Sequence, residues 1–166
     1  MASKELKIAI TGAYGFIGKN LISELKNQGY LNIFMITRNT TKEELKSILT
    51  EAEFVFHLAG INRPISDDEF EKGNRDFTRK IIETLVDLNN IVPIVVTSST
   101  QAINDNAYGI SKKAAEEAVE KCANDNNVEC GIYRLPNVFG KWSKPNYNSA
   151  IATFCNNIAR DAITFP

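Results

Sequence analysis

Tyr108 and Lys112 stand four positions apart in Tyr108-Gly109-Ile110-Ser111-Lys112. On a helix that spacing puts a phenol and an ammonium on one face. A free tyrosine keeps its proton up to about pH 10 and is a poor acid or base near neutrality. An ammonium beside it favours the phenolate and brings the pKa toward the working range, as proton transfer to a reacting oxygen requires. Just upstream, an apolar run closes with Val96-Thr97-Ser98-Ser99-Thr100, gathering hydroxyls at its end. The carboxyl end of a parallel strand is where ligands bind in open α/β sheets.

A second chemical signature lies near the N-terminus. Thr11-Gly12-Ala13-Tyr14-Gly15-Phe16-Ile17-Gly18 spaces its glycines as G-x-x-G-x-x-G, one residue different from the G-x-G-x-x-G dinucleotide fingerprint. Gly12 permits a tight turn off a strand, Gly15 lets backbone amides approach a pyrophosphate, and Gly18 lets the helix lie close to the sheet. Phe16, Ile17 and Gly18 open that helix, whose N-terminus favours an anion. The dinucleotide is read from a second strand end, Met35-Ile36-Thr37-Arg38-Asn39-Thr40. A site for NAD usually places a carboxylate there, to accept from the ribose 2′-hydroxyl. Here a neutral Thr37 precedes Arg38, which suits a 2′-phosphate. NADP(H) is therefore the expected cofactor, and Lys112 has its ribose hydroxyls as further acceptors.

The elements that must position these groups alternate along the chain. Apolar runs with few internal charges occupy 6–11, 32–37, 53–58, 92–98 and 128–135. Runs apolar on both faces suit strands covered by helices on both sides. Between them Ile17, Leu21 and Leu25 recur at helical spacing, with Gly29 where a helix would end. Phe77, Ile81 and Leu85 repeat the spacing in a segment reaching about Asn89, and Ala115, Val119 and Cys122 do so in one beginning near Tyr108. A last helical stretch covers about 149–161. The pattern predicts α/β architecture, a doubly wound parallel sheet, in one domain over residues 1–166. The charge of -1, from 19 basic and 20 acidic residues, offers no basic excess for a nucleic acid partner. No apolar stretch approaches a membrane span. Three cysteines in no metal-ligand spacing suit a reducing compartment and fit small buried apolar groups, so a cytoplasmic location is expected, with no metal site.

Five motifs then occur in the order seen in extended short-chain dehydrogenases: the glycine loop, Phe56-His57-Leu58-Ala59-Gly60, the serine strand, Y-x-x-x-K and Arg134-Leu135-Pro136-Asn137-Val138-Phe139-Gly140. The resemblance covers essentially the whole chain. It implies Tyr108 as catalytic acid/base and Lys112 as its partner. Ser99 aligns best with the residue that holds the reacting oxygen, with Ser98 and Thr100 as alternatives. Leu58, Ala59 and Gly60 resemble the segment that passes the cofactor, and Asn137 resembles a contact to a substrate diphosphate. Asn74 matches a helix asparagine of the superfamily without an assigned role. Relatives commonly form homodimers through helices corresponding to those at 74–89 and 108–124. Two departures stand out. Only eight residues separate Ser99 from Tyr108, and Thr100-Gln101 replaces the Asp-Glu pair that sugar-nucleotide dehydratases of the superfamily carry, so dehydration is disfavoured.

A closer likeness connects His57-Leu58-Ala59-Gly60-Ile61-Asn62-Arg63-Pro64 and the stretch from Phe139 to Ser149 with capsular polysaccharide enzymes that reduce a 4-keto UDP-sugar during UDP-N-acetyl-L-fucosamine formation. That likeness implies Arg63, Lys141 and Lys144 as cations for a pyrophosphate; Trp142 and Tyr147 stack on a base or pack. His57, the one histidine, sits in an apolar strand end and is expected to pack. Three readings follow from the resemblance: an NADPH-dependent reductase of a 4-keto nucleotide sugar, a nucleotide-sugar 4-epimerase using tightly held NAD, and a non-catalytic NADP(H)-binding module. The intact Ser99, Tyr108 and Lys112 favour an enzyme. Extended members add a further strand and a substrate-covering domain, and the capsular enzymes also a cupin domain. With the chain ending at Pro166, the expectation is a cofactor-binding part that binds NADP(H) and turns over little sugar on its own.

Overall fold

The structure is a computed structural model that describes residues 4–66 and 68–162. The first three residues and Pro166, on which the expectations for the chain ends rest, lie outside that range. Five strands, β1 (Ile8–Thr11), β2 (Ile33–Ile36), β3 (Phe54–His57), β4 (Ile94–Ser99) and β5 (Cys130–Leu135), form one sheet. All pair in parallel, in the order β2-β1-β3-β4-β5. Four lie inside the apolar runs assigned to them, and β4 continues one residue further, to Ser99. The order turns around at β1, whose neighbours β2 and β3 lead the chain to opposite sides. Ligands of doubly wound sheets occupy the crevice at such a switch point.

Among the described residues, six α-helices accompany the strands: α1 (Phe16–Asn27), α2 (Lys42–Glu51), the short α3 (Asp68–Phe70), α4 (Phe77–Asp87), α5 (Ala107–Asn126) and α6 (Ala150–Ile158). A π-helical stretch, Glu71–Asp76, joins α3 to α4. Successive strand residues face opposite sides, so Ala9 and Val55 join Leu45 and Leu49 of α2, Ile81 and Leu85 of α4 and Val119 of α5 in one core. Ile8 and Ile10 face the other way, onto Leu21, Ile22 and Leu25 of α1. The two faces are covered unequally. Three helices pack on the first, whereas α6 buries none of its residues and Phe54 and Phe56 on the α1 side are only partly buried. Left-handed residues follow three helix ends: Gly29 (φ 89°) after α1, Asn89 (φ 49°) after α4 and Asn127 (φ 51°) after α5.

One expectation about packing is corrected. The cysteines are not buried groups: Cys130 and Cys155 are exposed and Cys122 is half-buried. Cys130 stands on the edge strand and Cys155 on the uncovered α6, while the inward position expected of Cys122 is filled by Ala123.

The floor of the crevice is polar, yet closed to solvent. Thr11, His57, Asn74 and Thr78 are each at most 1% exposed. Thr78 gives its one proton to the Asn74 carbonyl (2.6 Å), so its oxygen accepts from His57 Nε2–H (2.8 Å). His57 Nδ1 then accepts from the Thr11 hydroxyl (2.8 Å), which accepts from the Ala59 amide (3.1 Å). The chain of donors runs in one direction only and requires a neutral His57. Burial, assisted by the charge of Lys112, pushes its pKa from 6.5 to about 3. The folded chain thus refuses a proton that the unfolded chain accepts below pH 6.5. This contribution to stability is whole above that pH and is lost as the pH falls toward 3. From pH 7 to pH 5 the loss is about 2 kcal/mol. Urea unfolding at the two pH values should read it. His57→Gln, less stable at pH 7, should lose the slope, because the sequence has no other histidine.

Candidate functional site

The glycine loop is shaped by close backbone approaches. Gly12 (φ 68°) leads the chain off β1, and a side chain there would begin 2.7 Å from the Ala59 amide nitrogen of the β3 end. The Gly15 amide closes the turn onto the Gly12 carbonyl (2.9 Å). A methyl group on Gly18 would stand 2.3 Å from the Gly12 oxygen, so α1 rests directly on the turn. Gly15 caps α1 without a side-chain bond, and the first turn holds no acid. The amides of Phe16, Ile17 and Gly18 have no acceptor within the helix, and with the helix dipole they form a cradle for an anion. At the neighbouring strand end a tight turn forms, with the Thr37 amide on Thr40 Oγ1 (2.9 Å) and the Asn39 amide on Thr37 Oγ1 (3.2 Å). Arg38 projects from it, exposed, and among the described residues no hydrogen bond or ion pair engages its guanidinium.

Across the crevice, Ser99 ends β4 and is 8% exposed. Its Oγ accepts from the Gln101 amide (3.1 Å) and reaches the Tyr108 hydroxyl. Of its neighbours, Ser98 is buried and aimed at Glu116, while Thr100 is exposed, so Ser99 is the member of the trio that meets Tyr108. The Asn106 side chain caps α5 by accepting from the Gly109 amide (2.8 Å), which fixes the first turn carrying Tyr108. The Tyr108 ring is tilted against Phe70, with centroids 5.3 Å apart.

The electrostatics depart from the sequence expectation. Burial pushes the Tyr108 phenol above its ordinary value and the Ser99 hydrogen bond partly offsets this. The Lys112 ammonium turns the other way. Its Nζ is instead donated to the Thr97 carbonyl (3.0 Å), on the sheet side of the helix. Burial drives Lys112 down to about 8, against the opposing field of Glu116. Helical spacing puts the two residues on one face, but a four-carbon stem chooses its own acceptor.

Asn74 ties the two halves of the crevice together. Its Oδ1 accepts from the Ile61 amide (2.8 Å), and its Nδ2 donates to the Ile61 carbonyl (3.0 Å) and to Ser111 Oγ on α5 (3.0 Å). Gly60 lies between the halves: a side chain there would meet Asn74 Oδ1 at 3.0 Å and Lys112 Nζ at 3.1 Å. The result is a cleft of about 920 Å³ whose walls include Ile17, Leu58, Gly60, Ser99, Tyr108, Lys112, Asn137 and Arg63. Arg63 donates to the Tyr147 carbonyl and sits 5.0 Å from its ring centroid, and the Tyr147 hydroxyl donates to Asn62 (3.2 Å). Lys141 does not line the cleft. Its carbonyl is held by Asn20 of α1 (2.9 Å) and its ammonium lies 4.5 Å from the Trp142 ring centroid. Phe70 and Glu116 join the site without belonging to any of the five motifs. Phe70 gives no motif signal, whereas Glu116 continues the four-residue spacing of Tyr108 and Lys112.

A doubly wound parallel sheet with a bare glycine-loop cradle and a Ser/Tyr/Lys-lined cleft defines a Rossmann-type domain. Residues 8–165 match the NAD dependent epimerase/dehydratase family, and the chain belongs to that family. It is 46% identical over 156 residues to UDP-2-acetamido-2,6-beta-L-arabino-hexul-4-ose reductase of Pseudomonas aeruginosa, a match covering 94% of this chain and 42% of that protein. GDP-6-deoxy-D-talose 4-dehydrogenase of Aggregatibacter actinomycetemcomitans is 34% identical over 119 residues, covering 64% of this chain and 38% of the relative. Among solved structures, capsular polysaccharide assembling protein CapF from Staphylococcus aureus superposes with a TM-score of 0.84 at 45% identity, over 97% of this chain and 44% of its own. The chain thus spans less than half the length of these relatives.

The glycine contacts yield a stability prediction. Gly18→Ala forces its methyl group into the Gly12 carbonyl, backbone against backbone, and should cost about 2–3 kcal/mol, read as a lowered urea midpoint.

Proposed function

We propose that this chain is the cofactor-binding part of an NADPH-dependent reductase of a 4-keto nucleotide sugar, a UDP-linked deoxy amino sugar in surface polysaccharide precursor synthesis. The observation that carries the reading is the cleft itself, where Ser99, Tyr108 and Lys112 stand opposite the glycine-loop side of the sheet. The likeness to the Pseudomonas reductase and to CapF supports the substrate class.

NADPH, when bound, supplies the hydride. Its pyrophosphate is held by the amides of Phe16, Ile17 and Gly18, with Gly12 and Gly15 shaping the turn. Leu58, Ala59 and Gly60 form the strand end along which it passes. Thr37 and Arg38 take the 2′-phosphate, for which Arg38 has both charge and freedom. Ser99 Oγ holds the ketone oxygen, and Tyr108 gives its phenolic proton to the alkoxide forming there. A phenol raised by burial keeps that proton at neutral pH, ready to be donated. The Lys112 ammonium stabilises the phenolate left behind and holds the ribose. Asn137 and Arg63 serve the substrate diphosphate; Lys141, outside the cleft, does not. Val86 on α4 and Ile110 on α5 are exposed on the helices expected to pair in a homodimer, which light scattering would read as a doubled mass.

The test is binding and turnover in parallel. Arg38→Ala should lose about tenfold or more in NADPH affinity and little in NADH affinity by calorimetry. Equal losses would remove the 2′-phosphate assignment. In a chain extended to the length of its relatives, Tyr108→Phe should bind NADPH nearly as well as the parent while retaining less than about a tenth of the turnover of a 4-keto UDP-sugar. Turnover preserved in that variant would remove the acid/base assignment.

A further inference from the structure

Tyr108, Lys112 and Glu116 follow one another at four-residue intervals along α5, and the last two turn into the protein. Lys112 is 9% exposed and Glu116 only 2%. An ammonium taken out of water costs several kcal/mol unless an opposite charge answers it. The hydrogen bond that Lys112 makes, to the Thr97 carbonyl, supplies a dipole and no charge. The carboxylate whose field favours its protonated form is Glu116.

Glu116 is itself built to stay ionised. Burial alone would raise its pKa, but the groups around it together bring it below the ordinary value, first among them Arg134 of β5 with a two-pronged bond: Nε lies 3.0 and 3.1 Å from the two carboxylate oxygens and Nη2 lies 2.6 Å from one of them. Ser98 and Lys112 act in the same direction. The Ser98 hydroxyl is buried on that side of the carboxylate and, among the described residues, has no hydrogen-bond partner. The two cations differ in what they need. Arg134 keeps 47% of its side chain exposed and could be solvated without a partner, whereas the Glu116 side chain is 3% exposed. The other titratable groups near Lys112 are Tyr108 on the same helix and His57 on β3, and both are neutral.

We propose that Glu116 is a positioning residue for the reaction: clamped by Arg134, it supplies the buried counter-charge that keeps Lys112 an ammonium at the rim of the cleft. Glu116 touches neither substrate nor cofactor; it acts through Lys112. The functional half of this statement rests on the reading of Lys112 under Proposed function. The electrostatic half does not.

Two measurements separate the halves. The first is pH-resolved acetylation of lysines, read residue by residue in the mass spectrometer, which gives each lysine's midpoint without any cofactor. Glu116→Gln should lower the Lys112 midpoint by about one pH unit or more and leave the exposed lysines where they were. Because Arg134 loses its partner in that variant, Glu116→Gln/Arg134→Gln, an amide pair that can bond to itself, serves as the second form. The closer carboxylate should dominate, and the midpoint should fall there too. An unchanged midpoint in the folded double variant overturns the proposal. The second measurement is NADPH affinity from pH 6 to pH 9.5. In Glu116→Gln the alkaline loss of affinity should begin about one unit earlier, with affinity at pH 6 preserved. A shifted Lys112 midpoint with an unshifted affinity profile keeps the counter-charge and overturns its link to the cofactor. A uniform loss of affinity at every pH marks Glu116 as a packing residue only and overturns the same link.

Discussion

Asn74 spends every hydrogen-bonding group of its side chain on joining segments that the chain connects only through long detours. Its amide brackets Ile61 from both sides and reaches Ser111 on α5, while its backbone carbonyl receives the proton chain that starts at Ala59 and passes through Thr11, His57 and Thr78. The end of β3, the start of the glycine loop and the helix bearing Tyr108 and Lys112 are thereby held to one another inside the protein. Buried polar groups left unpaired would each cost about 1–3 kcal/mol. A network without a vacancy turns that cost into a demand for one geometry. The π-helical stretch Glu71–Asp76 places Asn74 for this duty; such wide turns recur at functional sites.

From that joint outward the site sorts by the kind of chemistry each wall carries. The glycine-loop side is backbone: amides without acceptors and no side-chain cap, so that it recognises charge and shape. The α5 side is side chain: two hydroxyls in reach of each other, an aromatic ring shielding the phenol, and a buried ammonium. Asparagine and glycine serve the border between them. Gly60 in particular leaves room where Lys112 and Asn74 approach most closely.

Most of the sheet was legible in the sequence because its strands read as apolar runs with few charges inside them, although only β1 is buried along its whole length and β5 is largely open to solvent. Ser99 joined β4 although no apolar residue marks that position, since the ladder to β5 extends through Leu135. Helix α2 was less visible. Only Leu45 and Leu49 are buried from it, and its signal lies in the capping box of Thr41 and Glu44 rather than in periodicity. Ser99, Tyr108, Lys112, Arg63 and Asn137 do line one cleft, as their motifs suggested, whereas Lys141 does not, because Asn20 draws its backbone toward α1. Spacing put Lys112 on the helix of Tyr108 but did not show that its ammonium would donate to the Thr97 carbonyl. Which carbonyl a long side chain selects depends on strand residues that no helical periodicity encodes. The π-helical stretch left no trace in composition at all.

The unequal dressing of the sheet gives the molecule a grain. Amides of β1 and β3 lie between paired strands, with helices above and neutral hydrogen-bonded side chains at their ends, so in deuterated water they would open only with the whole domain. Toward β5 that shelter thins: Tyr133 is 57% exposed, Arg134 faces solvent and α6 lends no buried side chain. Amides along the outer edge would therefore exchange long before the centre loosens. The cofactor side of the crevice stands on the slow end of this gradient. The Asn137 side, carried by the loop that leaves β5, stands on the fast end, so the cleft joins a firm wall to a pliant one.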